Sequence, residues 1–229
     1  MTAPISVVFP IFPGVTQLDF TGPYQVLVRT PGVRVTVASQ SGKPIDANGL
    51  TFCSLVALES VDECTVLCVP GGSVADGLRD RTLIGHIRRL GLQARYITSV
   101  CTGSLLLGAA GLIEGKRVAC HWAYRDLLTS FGAIPDAGRV VRDGNIISGG
   151  GVTAGIDFAF ALAAELTDPA SAQAVQLALE YAPAPPFESG RPDTAPTDVL
   201  ARAQERFAPM REAVRAAIDE LHARERQAV

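Results

Sequence analysis

The stretch Tyr96-Ile-Thr-Ser-Val-Cys-Thr-Gly-Ser-Leu-Leu-Leu107 decides the fold class. Its first five residues form a nearly continuous apolar run, which is typical of a strand covered by helices on both faces of a parallel sheet. Cys101 follows at once, and Gly103 then leads into an apolar, helix-like segment. This order predicts a strand-to-helix elbow that holds the cysteine at the carboxyl end of the sheet.

Short apolar runs and helix-like stretches alternate along most of the chain. They predict an α/β fold in which a mostly parallel sheet lies between helices. The hairpin dipeptide Asp143-Gly144 adds one antiparallel pair. The predicted strands cover residues 5–9, 33–39, 65–69, 96–100 and 116–120, and the predicted helices cover residues 23–29, 83–92, 102–110, 123–131, 154–166 and 169–181.

The composition changes at residue 182, where five prolines fall within the fifteen residues 182–196. We predict one α/β domain over residues 1–182, then a proline-rich connector and a helical tail over residues 183–229. Apolar positions keep helical spacing through the tail, and Pro209 is expected to divide it. The tail is expected to pack on its own domain or on a dimer partner.

Charge and composition exclude several function classes. A net charge of −3 offers no basic surface for nucleic acid. The longest nearly uncharged apolar stretch, residues 104–113, is shorter than the ~20 residues of a bilayer-spanning helix. Five cysteines without framework spacing, and a start that lacks the basic region of a signal peptide, indicate reduced thiols in a cytoplasmic protein.

Three loops are expected to meet at the carboxyl edge of the sheet. Cys101 lies beside a helix N-terminus, which favours its thiolate, although a buried cysteine can also serve only for packing. Gly71 and Gly72 can turn backbone N–H groups toward a developing negative charge, or form a plain turn. Asp19 precedes the helix predicted to begin at Pro23, so it either stabilises the helix start or exchanges protons with Cys101.

His121 leaves two interpretations open: it activates the thiol, or it is structural. A metal site is not expected, because Cys64 and Cys68 share one strand face without a histidine nearby, which favours core packing.

The chain resembles the DJ-1/PfpI family, and within it most closely the isocyanide hydratase branch. The resemblance covers essentially the whole chain. It is carried by Leu18-Asp-Phe-Thr-Gly-Pro23, Cys68-Val-Pro-Gly-Gly72, Thr98-Ser-Val-Cys-Thr-Gly-Ser104, Gly111-Leu-Ile-Glu-Gly-Lys-Arg117, His121-Trp122, Gly149-Gly-Gly-Val-Thr-Ala-Gly-Ile-Asp157 and Glu180-Tyr-Ala-Pro-Ala-Pro-Pro-Phe187.

The resemblance implies a flavodoxin-like fold, similar to class I glutamine amidotransferases, and a homodimer. It also implies a role for each site residue. Cys101 is the nucleophile, Asp19 the acidic neighbour of its sulfur, Thr102 an orienting hydroxyl, and Gly72 a backbone N–H donor. Thr102 stands where peptidase-like members have histidine, which argues against peptidase activity and against a simple Cys–His dyad.

The implied reaction is the hydration of an isocyanide to an N-substituted formamide, a hydro-lyase reaction that needs no metal or organic cofactor. Cys101 would form a thioimidate with the substrate, and Asp19 would act as acid and then as base from a pocket that raises its pKa. Two alternatives stay open: a ligand-sensing domain without catalysis, and cysteine-dependent glyoxalase or deglycase chemistry on aldehydes. Sensing relatives append a helix-turn-helix domain of roughly 100 residues, whereas about 47 residues follow Ala182.

Overall fold

A mostly parallel sheet of seven strands runs through the middle of the computed structural model, which describes residues 4–227. Within residues 4–227 the strands are β1 (Ile5–Pro10), β2 (Val33–Ser39), β3 (Ile45–Ala47), β4 (Leu50–Phe52), β5 (Val56–Ala57), β6 (Val66–Val69), β7 (Tyr96–Val100), β8 (Arg117–Ala119), β9 (Ile134–Asp136), β10 (Val140–Asp143) and β11 (Ile146–Gly149). The strand order in the large sheet is β10-β11-β7-β6-β1-β2-β5. The hairpin pair β10–β11 is antiparallel, and the other neighbours in this sheet are parallel.

The helices of the described residues pack in two groups. They are α1 (Gln17–Leu27), α2 (Ala75–Arg79), α3 (Arg81–Gly91), α4 (Gly103–Ala109), α5 (Ala154–Leu166), α6 (Pro169–Ala178) and α7 (Thr197–Gln227). One group joins α1 to α5 and α5 to α6, and the other joins α2, α3, α4 and α7. The predicted α/β fold with a mostly parallel sheet between helices is therefore confirmed. None of the helices in residues 4–227 has the length and apolar character to cross a bilayer.

The central strands explain where the site lies. Every residue of β6 and β7 is buried, as expected for apolar strands with helices on both faces. β11, β7, β6 and β1 are consecutive neighbours and run parallel. Their carboxyl ends therefore bring the loops at residues 11–16, 70–74, 101–102 and 150–153 to one edge of the sheet.

Two predicted elements take a different form. The segment predicted as a strand over residues 116–120 becomes β8, which pairs with β9 in a separate two-stranded sheet because β11 occupies the place beside β7. The segment predicted as an α-helix over residues 123–131 is a 3-10 helix, Arg125–Phe131. It ends at Gly132, whose φ of 67° is the left-handed conformation that stops a helix.

Proline positions misled the prediction at two helices. α1 begins at Gln17, not at Pro23, because packing outweighs the local preference: the α1–α5 crossing is tight enough that a Cβ added at Gly155 would lie 3.2 Å from Pro23. Likewise, α7 continues through Pro209 instead of dividing there. The carbonyl that Pro209 leaves without a donor belongs to Glu205, which is exposed, so water can satisfy it.

The C-terminal segment lies against the α/β core. Residues 182–196 form no helix or strand. After them, α7 packs on α2 and buries Val214, Ala217 and Ile218. Residues 1–3 and 228–229, the ends of the predicted spans 1–182 and 183–229, lie outside the described residues.

Candidate active site

Cys101 lies at a sharp turn between β7 and α4. Its φ is 58°, a left-handed conformation that a non-glycine residue adopts at a cost of roughly 1–3 kcal/mol and that is typical of functional elbows. Its N–H donates to the carbonyl of Gly149 on β11 at 3.0 Å. A Cβ on Gly103 would collide with the Val69 carbonyl, so the turn requires glycine there. The predicted elbow is present and holds Cys101 at the carboxyl edge.

Asp19 lies in the first turn of α1 and is completely buried. Its Oδ2 accepts the Gly71 N–H at 3.0 Å. Its Oδ1 is buried and has no hydrogen-bond partner among the described residues. The carboxyl group lies close enough to the Cys101 thiol for each to change the pKa of the other. A buried carboxyl oxygen without a partner, beside a cysteine, is a group available for chemistry.

Burial sets the protonation of this pair. It raises the pKa of Asp19 from 3.8 to about 7, against the opposing effects of the Gly71 N–H and Cys101. Burial, and then the neighbouring Asp19 charge, hold the pKa of Cys101 well above its ordinary value, although the Thr102 N–H acts in the opposite direction. Desolvation therefore opposes the thiolate that the helix N-terminus favours. At neutral pH, Cys101 is a thiol and Asp19 is divided between acid and carboxylate.

Gly71, Gly72 and Thr102 form a closed set of contacts behind the pair. The Gly72 N–H donates to Thr102 Oγ1 at 2.8 Å, and that hydroxyl donates to the Gly72 carbonyl at 2.9 Å. A Cβ at Gly71 would lie 2.5 Å from the Thr102 nitrogen and 2.9 Å from Asp19 Oδ2. The expectation that the N–H groups of Gly71 and Gly72 face substrate does not fit these contacts, because both donate to protein oxygens. The Thr102 hydroxyl orients the loop at Gly72 through its two hydrogen bonds with that residue.

His121 follows β8 and lies among aromatic rings. Its imidazole centroid is 5.1 Å from the ring of Phe207 on α7, and Trp122 and Tyr124 also contact it. Its Nδ1 accepts the Ala123 N–H at 3.3 Å. Burial lowers the pKa of His121 to about 4, so the ring is neutral at neutral pH. No hydrogen bond within residues 4–227 joins it to Cys101 or Asp19.

A cleft of about 550 Å³ opens beside these residues. Cys101 does not line this cleft. The cleft reaches Cys120, His121 and the loop at residues 150–153, which follows Gly149, the last residue of β11 and the acceptor of the Cys101 N–H. Its other walls are Arg125, residues 137–139 and connector residues 190–193. The sequence analysis missed Arg125 and the connector wall. The run of three glycines at residues 149–151 was a usable signal that another loop approaches the site.

No three His, Cys, Asp or Glu side chains within residues 4–227 are grouped so that they could hold a metal ion.

Comparisons with known proteins agree with this geometry. The model of the DJ-1/PfpI family matches residues 5–165. The isonitrile hydratase of Pseudomonas putida is 54% identical over 203 residues, which are 88% of this chain and 89% of that protein. A glutathione-independent glyoxalase of Caenorhabditis elegans is 29% identical over 63% of this chain and 78% of its own length. A crystal structure of a ThiJ/PfpI family protein from Pseudomonas syringae superposes with a TM-score of 0.91 at 37% identity, covering 94% of this chain and 90% of that one.

Proposed function

This chain belongs to the DJ-1/PfpI family, and from that membership we propose that it is an isocyanide hydratase, a hydro-lyase that converts R–N≡C and water to an N-substituted formamide. The likeness to the isonitrile hydratase of Pseudomonas putida supports this reaction over others in the family. The observation that carries the proposal is the buried carboxyl of Asp19, which lies beside Cys101 and has a free oxygen and a pKa of about 7.

The first step forms a covalent bond between Cys101 and the terminal carbon of the isocyanide. Because Cys101 is a thiol, the Asp19 carboxylate first accepts the thiol proton, and sulfur then attacks the carbon. Asp19 returns the same proton to that carbon. The product is a thioimidate, R–N=CH–S–Cys101, and Asp19 is again a carboxylate. A pKa near 7 suits a group that must accept and donate a proton at neutral pH.

The second step consumes water. The water oxygen attacks the thioimidate carbon while the Asp19 carboxylate removes a proton from that water. Asp19 then delivers this proton to the substrate nitrogen. The adduct, R–NH–CH(OH)–S–Cys101, collapses as its hydroxyl proton passes to sulfur. The N-formamide leaves and the thiol is restored, so atoms and protons balance without a cofactor.

The remaining site residues support this pair. Gly71 holds Asp19 in place by donating to Oδ2, and Thr102 fixes the neighbouring Gly72 through two hydrogen bonds. The neutral His121 shapes the wall beside Cys120 and carries no proton in either step.

A direct assay tests the reaction. Purified protein is incubated with an alkyl isocyanide and, separately, with methylglyoxal, and the products are followed by NMR. We expect formamide from the first and no lactate from the second. Consumption of methylglyoxal without formamide production would replace the proposal with the aldehyde reaction.

We further propose that the protein is a cytoplasmic homodimer. All five cysteines lie within the described residues and are free thiols, which suits a reducing compartment. Leu177 and Phe187 are 82% and 77% exposed, and a second copy of the chain can cover such apolar side chains.

A further inference from the structure

One cation in the cleft has no partner among the residues that the structure describes. Three arginines line this cleft: Arg139 bonds to Asp157 and Arg191 bonds to Asp193. Arg125, in contrast, makes no side-chain hydrogen bond or ion pair with any residue of 4–227, and its Nε is buried. A buried donor without an acceptor costs roughly 1–3 kcal/mol, and more when it is charged. Such a cost is expected where a ligand completes the bonding.

The acids around Arg125 are already occupied. Asp136 lies within reach of its charge, but the Asp136 oxygens accept from the Gly138 N–H and from Arg117. Asp126, the next residue along the 3-10 helix, is held by Arg211 of α7. The protein therefore places a positive charge in the cleft and directs its nearby carboxylates elsewhere.

Arg125 also acts on residues that lie beside the reacting pair. Its charge contributes, after burial, to the lowered pKa of His121, and it acts on the thiol of Cys120. The same cleft reaches the loop after β11, next to the Gly149 carbonyl that accepts the Cys101 N–H. The R group of a substrate attacked at Cys101 would have to pass this loop, and beyond the loop it would enter the cleft that Arg125 lines. A volume of about 550 Å³ lies within the range of small-molecule sites.

We propose that the cleft binds isocyanides whose R group carries a carboxylate, and that Arg125 is the residue that selects them. The guanidinium fork matches a carboxylate with two parallel hydrogen bonds, and burial strengthens both. This inference rests on the proposed hydratase function and adds the substrate class to it.

Binding of product analogues tests the selectivity without turnover. N-formylglycine and its methyl ester differ in charge but have the same formamide, and calorimetry compares their affinities for the wild-type protein. We expect the acid to bind at least roughly tenfold more tightly, since a hydrogen bond to a charged group is worth about 1.5–3 kcal/mol. Equal affinities would overturn the inference.

Kinetics with isocyanoacetate and its methyl ester then test Arg125 itself. In Arg125→Gln we expect kcat/KM for the acid to fall roughly 10- to 100-fold, mainly through KM. The ester should change little, and Arg125→Lys should restore part of the loss. Arg202→Gln, at an exposed arginine of α7, is the matched control and should leave both substrates unaffected.

The outcomes separate the two proposals. Equal losses for acid and ester in a folded Arg125→Gln would refute the carboxylate assignment while hydration stands. The wild type could also hydrate neither isocyanide and still bind N-formylglycine more tightly than its methyl ester. That result would refute the proposed reaction and support the charge selectivity of the cleft.

Discussion

The ring of Phe207 lies 5.1 Å from the imidazole of His121, centroid to centroid, so the helix α7 packs against a residue that lines the cleft. Arg211, one turn further along α7, bonds to the Ala123 carbonyl and to Asp126. The segment after β8 is therefore held in position by a helix outside residues 5–165, the part of the chain that the family model matches.

Removing this contact should change the ionisation of His121. In Phe207→Ala we expect the pKa of His121 to rise from about 4 toward its ordinary 6.5, because burial is the main cause of the shift. The half-buried ring should cost about 2 kcal/mol of stability, less than a fully buried phenylalanine. NMR titration measures the pKa, and Met210→Ala, at an exposed position on the same helix, is the control. An unchanged pKa in a folded Phe207→Ala would show that other groups bury the ring.

Substitution of the reacting pair should separate its two roles. Cys101→Ala should abolish formamide production, and Asp19→Asn, which keeps the shape but cannot cycle a proton, should fail at protonation of carbon, at thioimidate hydrolysis, or at both. Wild-type protein quenched during turnover should gain the mass of one isocyanide on the peptide that carries Cys101. Formamide production at the wild-type rate by Cys101→Ala would mean that Asp19 activates water directly.

The buried Asp19 should make stability depend on pH. Its folded pKa of about 7 lies above the unfolded 3.8, so its contribution is complete below about pH 4 and is lost as pH rises through 7. A one-unit difference in pKa is worth about 1.4 kcal/mol, which gives a loss of up to about 4 kcal/mol by pH 8. Denaturant unfolding at pH 5 and pH 8 should show about 3 kcal/mol of this loss, because the part between pH 4 and pH 5 is already lost at pH 5. The wild type should lose more of its free energy of unfolding between these pH values than Asp19→Asn does, and the difference is the contribution of the Asp19 carboxyl. The same pH dependence in both proteins would contradict the raised pKa of Asp19.

His121→Asn should fold and lose less than ~100-fold in turnover, below the usual effect of removing a general acid or base. The reason is that the imidazole is neutral and makes no hydrogen bond to Cys101 or Asp19 among the described residues. Steady-state kinetics compares the turnover of His121→Asn with that of Cys101→Ala. If both variants lose equally, a Cys–His dyad operates.

Sedimentation should give twice the chain mass of 24.1 kDa at micromolar concentrations. Leu177→Glu together with Phe187→Glu should weaken the dimer if these exposed side chains lie in the interface. A mass of one chain across that range would refute the homodimer.

Local pattern was sufficient for the central strands of the sheet and for the reactive turn. β2, β7 and α5 have the predicted bounds, and the elbow at Cys101 follows from an apolar strand joined directly to a helix. Long-range contacts decided the rest. The start of α1 depends on packing against α5, and the direction of the Gly71 and Gly72 N–H groups depends on Asp19 and Thr102 from other segments.

The thiol state of Cys101 could not be predicted for the same reason. A helix N-terminus is visible in sequence, whereas the burial that outweighs it arises from elements distant along the chain. The cleft is a further case, since residues 190–193 reach it only after the chain has passed through α5 and α6.

That connector wall separates two kinds of evolutionary change. The turns that hold the reacting atoms contain glycines at which a methyl group would collide with Thr102 or Val69, so a substitution there should displace those atoms. Residues 190–193 lie in an irregular surface segment that tolerates substitution and changes of length. A lineage can therefore alter which molecules it accepts by varying this connector while its chemistry is inherited unchanged.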